Sequence, residues 1–286
     1  MTDEKAGRAG AVLTPGRGDR QAGAGSPWGE VSPEGVEFVV TGEAQSLRVP
    51  ILEALADPSS IVGEELRLIS ARIQDMSRQR GVRSVAVTSP LPGEGKSTVS
   101  VGLAAALARQ PGRRVLLIEA DLRRPSLARV LGLPSSAGLS DWLHGRIDHV
   151  PLRAVEPSGF SILVAGQTEL ERPEILGSPR MESLLRVARG LFDIVVLDAM
   201  PLVPVTDAAI IQDLVDGFIL VVRHRATPRD AVQQGLAKLH PGRILGVVMN
   251  DYREILPSYT SYAYRRYGMA YGPSKRAKDP SAGSAE

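Results

Sequence analysis

Residues 84–98 read SVAVTSPLPGEGKST, a short apolar run followed by a glycine-rich turn and a Lys-Ser-Thr triplet. The apolar run is typical of a buried strand, and the composition of residues 97–109 is typical of a helix. In a turn of this kind, glycines let successive main-chain N–H groups point inward, and the helix start favours an anion. The segment therefore predicts a strand, a phosphate-binding loop and a helix, in that order.

This loop supplies the first candidate binding residues. Lys96 is placed to reach the β- and γ-phosphates of a nucleotide, and the Ser97 hydroxyl can ligate Mg²⁺. The strict pattern G-x-x-x-x-G-K-[ST] has Pro90 at its first position here, so an ordinary strand-to-helix turn is the alternative. The strand–loop–helix order and the Gly-Lys-Ser-Thr run favour nucleotide binding. The predicted nucleotide-binding residues are Pro92, Gly93, Glu94, Gly95, Lys96, Ser97 and Thr98.

Further apolar runs follow the loop, at residues 114–120, 161–166, 192–199, 217–223 and 244–250. They are too uniformly apolar for half-exposed strands and too short for helices, so they predict parallel strands covered on both faces. The segments between them read as helical, and Ser178-Pro179 is typical of a helix start. We therefore expect an α/β fold with a doubly wound, mostly parallel sheet, and ligands at the carboxyl ends of its strands.

Composition divides the chain into a domain and two tails. Residues 1–47 are rich in Gly, Ala, Pro and Ser, which predicts a disordered N-terminal arm. Residues 48–250 form the predicted P-loop domain, and residues 251–286 a flexible C-terminal tail. The chain has no cysteine, which excludes disulfides and thiolate chemistry, and no apolar run of the roughly 18 residues that a membrane span requires. The start of the chain also lacks a secretion signal, so we expect a cytoplasmic protein. A net charge of only +2 gives no reason to expect a nucleic-acid partner.

Acidic side chains follow two of the predicted strands. Glu119 and Asp121 end the run LLIEAD, and Asp198 ends the run IVVLD. Residues two apart on a strand point to one face, so Glu119 and Asp121 are expected to border the phosphate loop together. Such carboxylates can hold Mg²⁺, and one can accept a proton from an attacking hydroxyl. Ser97, Asp121 and Asp198 are the predicted metal residues, and Lys96, Glu119, Asp121 and Asp198 the predicted catalytic ones.

All the tyrosines of the chain lie in one segment near its C-terminus: Tyr252, Tyr259, Tyr262, Tyr264, Tyr267 and Tyr271. Core tyrosines are placed by packing and scatter along a chain, so this cluster indicates that the phenol hydroxyls are wanted there. The same segment is basic, and it could instead lie on anionic lipid or stack on single-stranded nucleic acid. A phosphate-binding loop in the same chain favours the six hydroxyls as phosphate acceptors.

Taken in order, PGEGKST, IEADLRRP, VVLDAMPLVPVTDA and the tyrosine-rich tail resemble the bacterial tyrosine kinases of capsule and exopolysaccharide export. The resemblance covers about residues 58–271. It implies a P-loop fold of the deviant Walker type, related to the partitioning ATPases. It also implies an ATP- and Mg²⁺-dependent, non-specific protein-tyrosine kinase that autophosphorylates its tyrosine cluster and regulates polysaccharide polymerisation and export.

The resemblance also implies partners. A membrane-embedded polysaccharide co-polymerase would activate the kinase and recruit it to the inner face of the cell membrane. The chain would form a homo-oligomer, often a ring, and a cognate phosphotyrosine phosphatase would reverse the modification.

The chain departs from the family pattern at three places. Glu119 stands where the family has Asp, and Met200 replaces the first proline of Asp-x-Pro-Pro. The ring-assembly motif E-x-x-R-x-x-R is reduced to Glu64 and Arg67, with Ser70 in the last place. Glu119 motivates a second hypothesis, a nucleotide-dependent switch or scaffold with weak or no kinase activity.

A partitioning-type ATPase is a third hypothesis. Those relatives carry an additional lysine near the start of the phosphate loop, where residues 89–92 here read SPLP. They also have no need of a tyrosine cluster, so this hypothesis ranks below the other two.

Overall fold

The structure, a computed structural model, describes residues 12–13, 35–41, 45–46, 49–168, 173–203 and 208–251 of the chain. Its helices are α1 (Pro50–Ala56), α2 (Ile61–Arg80), α3 (Lys96–Ala108), α4 (Leu127–Val130), α5 (Leu139–Leu143), α6 (Pro179–Leu191), α7 (Ala208–Gln212) and α8 (Arg229–Leu236). Its strands are β1 (Val12–Leu13), β2 (Phe38–Val40), β3 (Gln45–Ser46), β4 (Ser84–Thr88), β5 (Val115–Glu119), β6 (Val150–Glu156), β7 (Phe160–Leu163), β8 (Ile194–Asp198), β9 (Gly217–Arg223) and β10 (Ile244–Asn250).

The centre of the sheet has the order β7-β5-β8-β4-β9-β10, and all neighbours in this series are parallel. These strands are the six apolar runs of the sequence. The chain leaves β4 toward β5 on one side and later crosses to β9 on the other. Ligands of such sheets bind where the strand order reverses, here at the carboxyl ends of β4 and β8. The predicted doubly wound, mostly parallel α/β fold is confirmed.

The other edge of the sheet was not predicted. There β6 pairs antiparallel with β7, and β2 pairs parallel with β6. Strand β6 reads VPLRAVE, in which a proline and an arginine interrupt the apolar run. Strand β2 lies inside the predicted disordered arm, yet Val36 and Phe38 are fully buried in the core. Residues 36–40 thus belong to the folded domain, because Val36 and Phe38 are buried in its core.

Each central strand is covered on both faces. In β4, Val85 and Val87 pack with Leu66 of α2 and Leu103 of α3, whereas Ala86 packs in a second apolar cluster with Leu184 of α6. Fully burying a Val or Leu side chain contributes about 1.5–3 kcal/mol. The carboxyl ends of the strands are therefore fixed by packing from both sides.

Local signals set the helix boundaries that matter for the site. Helix α2 begins where Ser60 Oγ accepts the N–H of Gly63 at 3.1 Å, and it ends at Gly81 with φ of 70°. Helix α6 begins after Ser178, whose side chain accepts the N–H of Met181 as the Ser-Pro pair predicted. Within the residues that the structure describes, no helix is long and apolar enough to cross a membrane.

Candidate functional site

The loop between β4 and α3 has the backbone that the glycine-rich sequence predicts. Gly93 and Gly95 have φ of 82° and 90°, which other residues rarely adopt. Gly95 is also constrained by space, because a Cβ there would lie 2.0 Å from Nδ2 of Asn250. Helix α3 begins at Lys96, so its first N–H groups border the loop.

Glu94 ties this loop to two neighbouring elements. Its carboxylate accepts the N–H of Leu91 at 3.2 Å and the hydroxyl of Thr227, which lies before α8. Its main-chain oxygen accepts a hydrogen bond from Nδ2 of Asn250, the last residue of β10, at 2.8 Å. Glu94 is buried, so these bonds form largely away from water. The Glu94 carboxylate therefore holds the phosphate loop to the segment before α8.

Lys96 lies between two acidic side chains. Its Nζ is 2.7 Å from Oδ2 of Asp121 and 3.8 Å from Oδ1 of Asp198. All three side chains are buried. Replacing Lys96 by an uncharged group would leave two carboxylates in a low-dielectric site without their positive partner, which is strongly unfavourable.

Asp198, the last residue of β8, has the most unusual environment. Its Oδ1 accepts the hydroxyl of Ser100 at 3.2 Å, while Oδ2 has no hydrogen-bond partner among the described residues. Burial raises the pKa of this carboxyl to about 6, although Lys96 and the Ser97 hydroxyl act to lower it. Glu119 and Asp121 lie close enough to raise the pKa further by repulsion. A buried acceptor without a donor indicates a place for an external cation or donor.

Glu119, the last residue of β5, has a different set of contacts. Its Oε1 accepts the N–H groups of Ser126 and Leu127, each at 2.5 Å, and its Oε2 accepts the N–H of Ala165 at 2.9 Å. The side chain is only 1% exposed. Strand β5 ends at Glu119, so the two-residue alternation does not extend to Asp121, and the two carboxylates bind different partners. Both carboxylates nevertheless lie close enough to Asp198 to act on its pKa.

The turn after β5 connects Asp121 to Ser97. Oδ1 of Asp121 accepts the N–H of Arg124 at 3.1 Å, which closes the turn. Two residues later, the Ser126 hydroxyl donates to Oγ of Ser97 at 2.8 Å. The side chain predicted to ligate Mg²⁺ is therefore already hydrogen-bonded to a residue that sequence reasoning did not identify.

The segment after Asp198 is anchored to the end of β4 and to Lys238, which follows α8. Thr88 Oγ1 donates to the carbonyl of Met200 at 2.7 Å, and the N–H of Leu202 donates to the carbonyl of Ser89 at 2.8 Å. Nζ of Lys238 donates to the carbonyls of Leu202 and Val203 at 2.6 and 3.0 Å. Met200 replaces a proline of the family pattern, and its contribution here is the main-chain carbonyl that accepts the hydrogen bond from Thr88.

The donor set fits Mg²⁺ bound together with phosphates. No cluster of three or more carboxylates and imidazoles that could hold a metal by itself occurs within the described ranges. Mg²⁺ does not require one, because it commonly takes one or two protein oxygens and completes its shell with phosphates and water. Ser97, Asp121 and the open oxygen of Asp198 supply such ligands.

The structure brings together Lys96, Ser97, Asp121, Asp198 and Glu119 and gives each a definite partner. The tyrosines Tyr252, Tyr259, Tyr262, Tyr264, Tyr267 and Tyr271 lie outside the described residues. Sequence reasoning missed Ser126, Thr227, Asn250 and Lys238, which act through contacts between distant segments. Thr227 directly precedes Pro228 at the start of α8, a pattern that indicates a helix start and gives no sign of a contact with the phosphate loop.

Sequence comparison agrees with this geometry. Residues 85–256 match the family described as the CobQ/CobB/MinD/ParA nucleotide binding domain. That range begins in β4 and includes the phosphate loop and all three acidic residues. The chain therefore contains a nucleotide-binding domain of this P-loop family, while the bounds of residues 48–250 stay a prediction.

Individual relatives show which group within this nucleotide-binding family the chain resembles. The tyrosine-protein kinase YwqD of Bacillus subtilis is 32% identical over 214 residues, which cover 74% of this chain and 89% of YwqD. The succinoglycan biosynthesis transport protein ExoP of Rhizobium meliloti is 35% identical over 227 residues, 75% of this chain but 29% of ExoP. The kinase domain of the Escherichia coli tyrosine kinase ETK superposes with a TM-score of 0.64 at 26% identity, covering 75% of this chain and 86% of that domain.

The chain therefore matches most of one short relative and less than a third of the long one. Its phosphate loop, the acidic residues at the ends of β5 and β8, and these similarities lead to one assignment. The chain belongs to the bacterial tyrosine-protein kinase family, a branch of the P-loop nucleotide-binding proteins.

Proposed function

We propose that this protein is an ATP-dependent protein-tyrosine kinase that autophosphorylates the tyrosine cluster of residues 252–271. The observation that carries the proposal is Lys96, held between Asp121 and Asp198 beside an acceptor oxygen that has no donor among the residues the structure describes. The chain that contains this site also carries its own candidate substrate.

The site residues have distinct roles in this proposal. Main-chain N–H groups of the loop and the start of α3 bind the phosphates of ATP, and Ser97 and Asp198 hold Mg²⁺, which supplies charge neutralisation. When ATP binds, Lys96 gives up its ion pair with Asp121 and pairs with the phosphates instead. This exchange leaves Oδ2 of Asp121 able to accept the proton of a tyrosine hydroxyl as the phenol oxygen bonds to the γ-phosphorus and ADP departs.

Asp121 suits the role of proton acceptor better than Glu119. Glu119 already accepts three main-chain N–H bonds and is almost completely buried. To act as a base it would have to leave those buried donors unsatisfied, at about 1–3 kcal/mol each. Asp121 gives up only its ion pair with Lys96, which the phosphates replace.

The test is phosphosite mapping after incubation of the full chain with Mg-ATP. Wild type acquires phosphate on residues 252–271, and Lys96→Met does not, because the γ-phosphate loses its main positive partner. The incubation is repeated with a candidate membrane activator. Phosphate absent from wild type under both conditions would rule out the kinase.

Glu119 is also the observation that favours a second candidate, a nucleotide-dependent switch or scaffold. A site without a usable base would bind Mg-ATP and change its assembly state without phosphorylating tyrosine. Mg-ATP binding by wild type, without phosphotyrosine and with a change in sedimentation, would support that candidate. A partitioning-type ATPase remains the less favoured reading.

The similarity to ExoP, named a transport protein of succinoglycan biosynthesis, supports a role in exopolysaccharide or capsule polymerisation and export. The proposed activator is a membrane-embedded polysaccharide co-polymerase that recruits this cytoplasmic chain to the inner face of the membrane. A cognate phosphotyrosine phosphatase would reset the tail. Co-purification with membrane fractions only when the activator is co-expressed is the expected result.

Homo-oligomer formation is proposed through α2. Ile61, Val62 and Leu68 are exposed apolar residues on this helix. Glu64 and Arg67, the remainder of the ring motif, pair with each other at 3.0 Å. Sedimentation of wild type against Leu68→Glu tests this: the account expects the variant to dissociate, and unchanged association would contradict it.

A further inference from the structure

Ser126 links the turn after β5 to the phosphate loop. Its main-chain N–H donates to Oε1 of Glu119 at 2.5 Å, and its hydroxyl donates to Oγ of Ser97 at 2.8 Å. The next residue, Leu127, donates its N–H to the same carboxylate oxygen. The position of the Ser126 side chain is therefore fixed from both ends, by a buried carboxylate behind it and by Ser97 in front.

The hydrogen bond to Ser97 restricts the direction of its hydroxyl. A serine hydroxyl has one donor proton and two acceptor lone pairs. Ser97 accepts the hydroxyl of Ser126 at 2.8 Å. This bond occupies one lone pair and restricts rotation of the Ser97 hydroxyl, so its proton and its remaining lone pair have a set orientation. A Ser97 hydroxyl without Ser126 could rotate.

Glu119 has the length that this arrangement requires. Its carboxylate reaches main-chain donors on two segments, at Ser126 and Leu127 and across at Ala165. An aspartate at this position would withdraw the carboxylate by about 1.5 Å, the length of one C–C bond. Hydrogen bonds weaken steeply over such a distance, so aspartate could not hold both segments.

We propose that Ser126 is a positioning residue of the metal site, which sets the direction of the Ser97 hydroxyl and is itself held by Glu119. In this role Glu119 acts as an acceptor of main-chain hydrogen bonds and transfers no proton. The inference rests on the proposed function, because it assigns Ser97 to Mg²⁺. It adds two residues whose effect on the metal is indirect.

The test measures binding of a fluorescent N-methylanthraniloyl-ADP to the full chain, in EDTA and over a Mg²⁺ titration. Ser126→Ala should leave binding in EDTA unchanged and raise the Mg²⁺ concentration for half-maximal tightening by about threefold to tenfold, as loss of one hydrogen bond implies. Ser126→Thr, which keeps the hydroxyl, should restore the wild-type Mg²⁺ response. Ser135→Ala makes the same chemical change at an exposed serine and serves as the matched control.

The outcomes separate this inference from the proposed function. Wild type that shows no tightening by Mg²⁺ overturns the proposed function, and the inference falls with it. Wild type that tightens while Ser126→Ala responds identically overturns the inference alone. Loss of binding in EDTA together with a lower unfolding temperature in Ser126→Ala would also overturn it, since Ser126 would then act only in folding.

Glu119→Asp provides the second measurement, with no need for catalysis. The nucleotide-free variant should unfold at a lower temperature than wild type, because three main-chain donors lose their acceptor. Its response to Mg²⁺ should also be weaker than that of Ser126→Ala. An equal or higher unfolding temperature with a stronger Mg²⁺ response would contradict the role given to Glu119.

Discussion

Strand β4 has a charged cluster at each of its ends, and the two clusters are built differently. At the amino end, Oδ2 of Asp216 accepts the N–H groups of Arg83 and Ser84 and the Ser84 hydroxyl, at 2.8–2.9 Å. Arg189 donates to the same hydroxyl and to the carbonyl of Leu214. At the carboxyl end, within the described part of the chain, Lys96 and its acidic neighbours leave an oxygen of Asp198 without a donor.

The titration of the two aspartates shows the same difference. At Asp216 burial acts to raise the pKa, but the hydrogen bonds from Arg83 and Ser84 outweigh it and hold the pKa below its usual value. At Asp198 burial dominates, and the pKa rises to about 6. In a cluster that serves folding, the charged groups find their hydrogen-bond and ion-pair partners within the protein. In a cluster that binds a ligand, some of those partners are supplied by the ligand.

The largest effect on stability is expected at the amino end. Asp216→Ala removes the acceptor of three hydrogen bonds and should lower the free energy of unfolding by about 2–4 kcal/mol. Urea unfolding measures this, with Asp213→Ala, an exposed neighbouring acid, as the control. Nucleotide affinity of the folded chain should not change, and a parallel loss of affinity would mean that the two ends are not independent.

At the carboxyl end, replacing the aspartate is expected to raise the free energy of unfolding, the opposite of the effect at the amino end. With its pKa raised, Asp198 retains a proton in the folded chain that the unfolded chain has already released. Its contribution to stability is therefore present at acid pH and lost as the pH rises through about 6. In nucleotide-free protein, Asp198→Asn should raise the free energy of unfolding at pH 8 by about 2 kcal/mol, an order-of-magnitude figure.

The same variant should gain only about half as much at pH 5, where the folded chain keeps the Asp198 proton that the unfolded chain has already released. It should also lose Mg²⁺-dependent nucleotide binding. Thermal unfolding at the two pH values measures the stability change. If the variant were less stable than wild type at pH 8, burial of the ionised Asp198 would not be what destabilises the nucleotide-free protein, and the account of this end would be contradicted. For Asp216 the pH dependence of stability is the opposite. Its pKa is lowered in the folded chain, so its contribution to stability is present above the pKa of the unfolded chain and is lost on acidification.

The smallest effect is expected at Thr227, which connects the phosphate loop to the segment before α8. Thr227→Val preserves the shape and removes the hydroxyl that donates to Glu94 and accepts the N–H of Arg223. We expect nucleotide affinity to fall by about threefold, with stability reduced by about 1 kcal/mol. Thr227→Ser should restore both values, and a failure to restore them would assign the effect to packing.

The sequence predicted the parts of the molecule whose determinants are local. Each central strand is a continuous apolar run, and the glycines of the phosphate loop stand beside Lys96. The edge was missed because β6 contains Pro151 and Arg153 and because the apolar run of β2, Phe38–Val40, is only three residues long. Burial of those segments depends on distant partners that no local pattern reveals.

The site divides in the same way. Lys96, Ser97, Asp121 and Asp198 were predicted from residue type and order, and they converge. Ser126 could not be predicted, because its contacts to Ser97 and Glu119 span 29 and 7 residues and depend on how the turn after β5 closes. The structure also gives Glu119 a reason to be longer than the family's aspartate, which the sequence alone presented as a possible defect.

The central claim is that the carboxyl end of β4 is a working kinase site in which Asp121 accepts the proton and Glu119 positions the metal ligands. Intact-mass measurement of phosphate on residues 252–271 tests it, with wild type, Asp121→Asn and Glu119→Asp incubated side by side with Mg-ATP and activator. The account predicts phosphorylated wild type, a loss of about a hundredfold or more in Asp121→Asn, and a rate below wild type in Glu119→Asp. Unmodified wild type, or a Glu119→Asp variant that exceeds it, would contradict the claim.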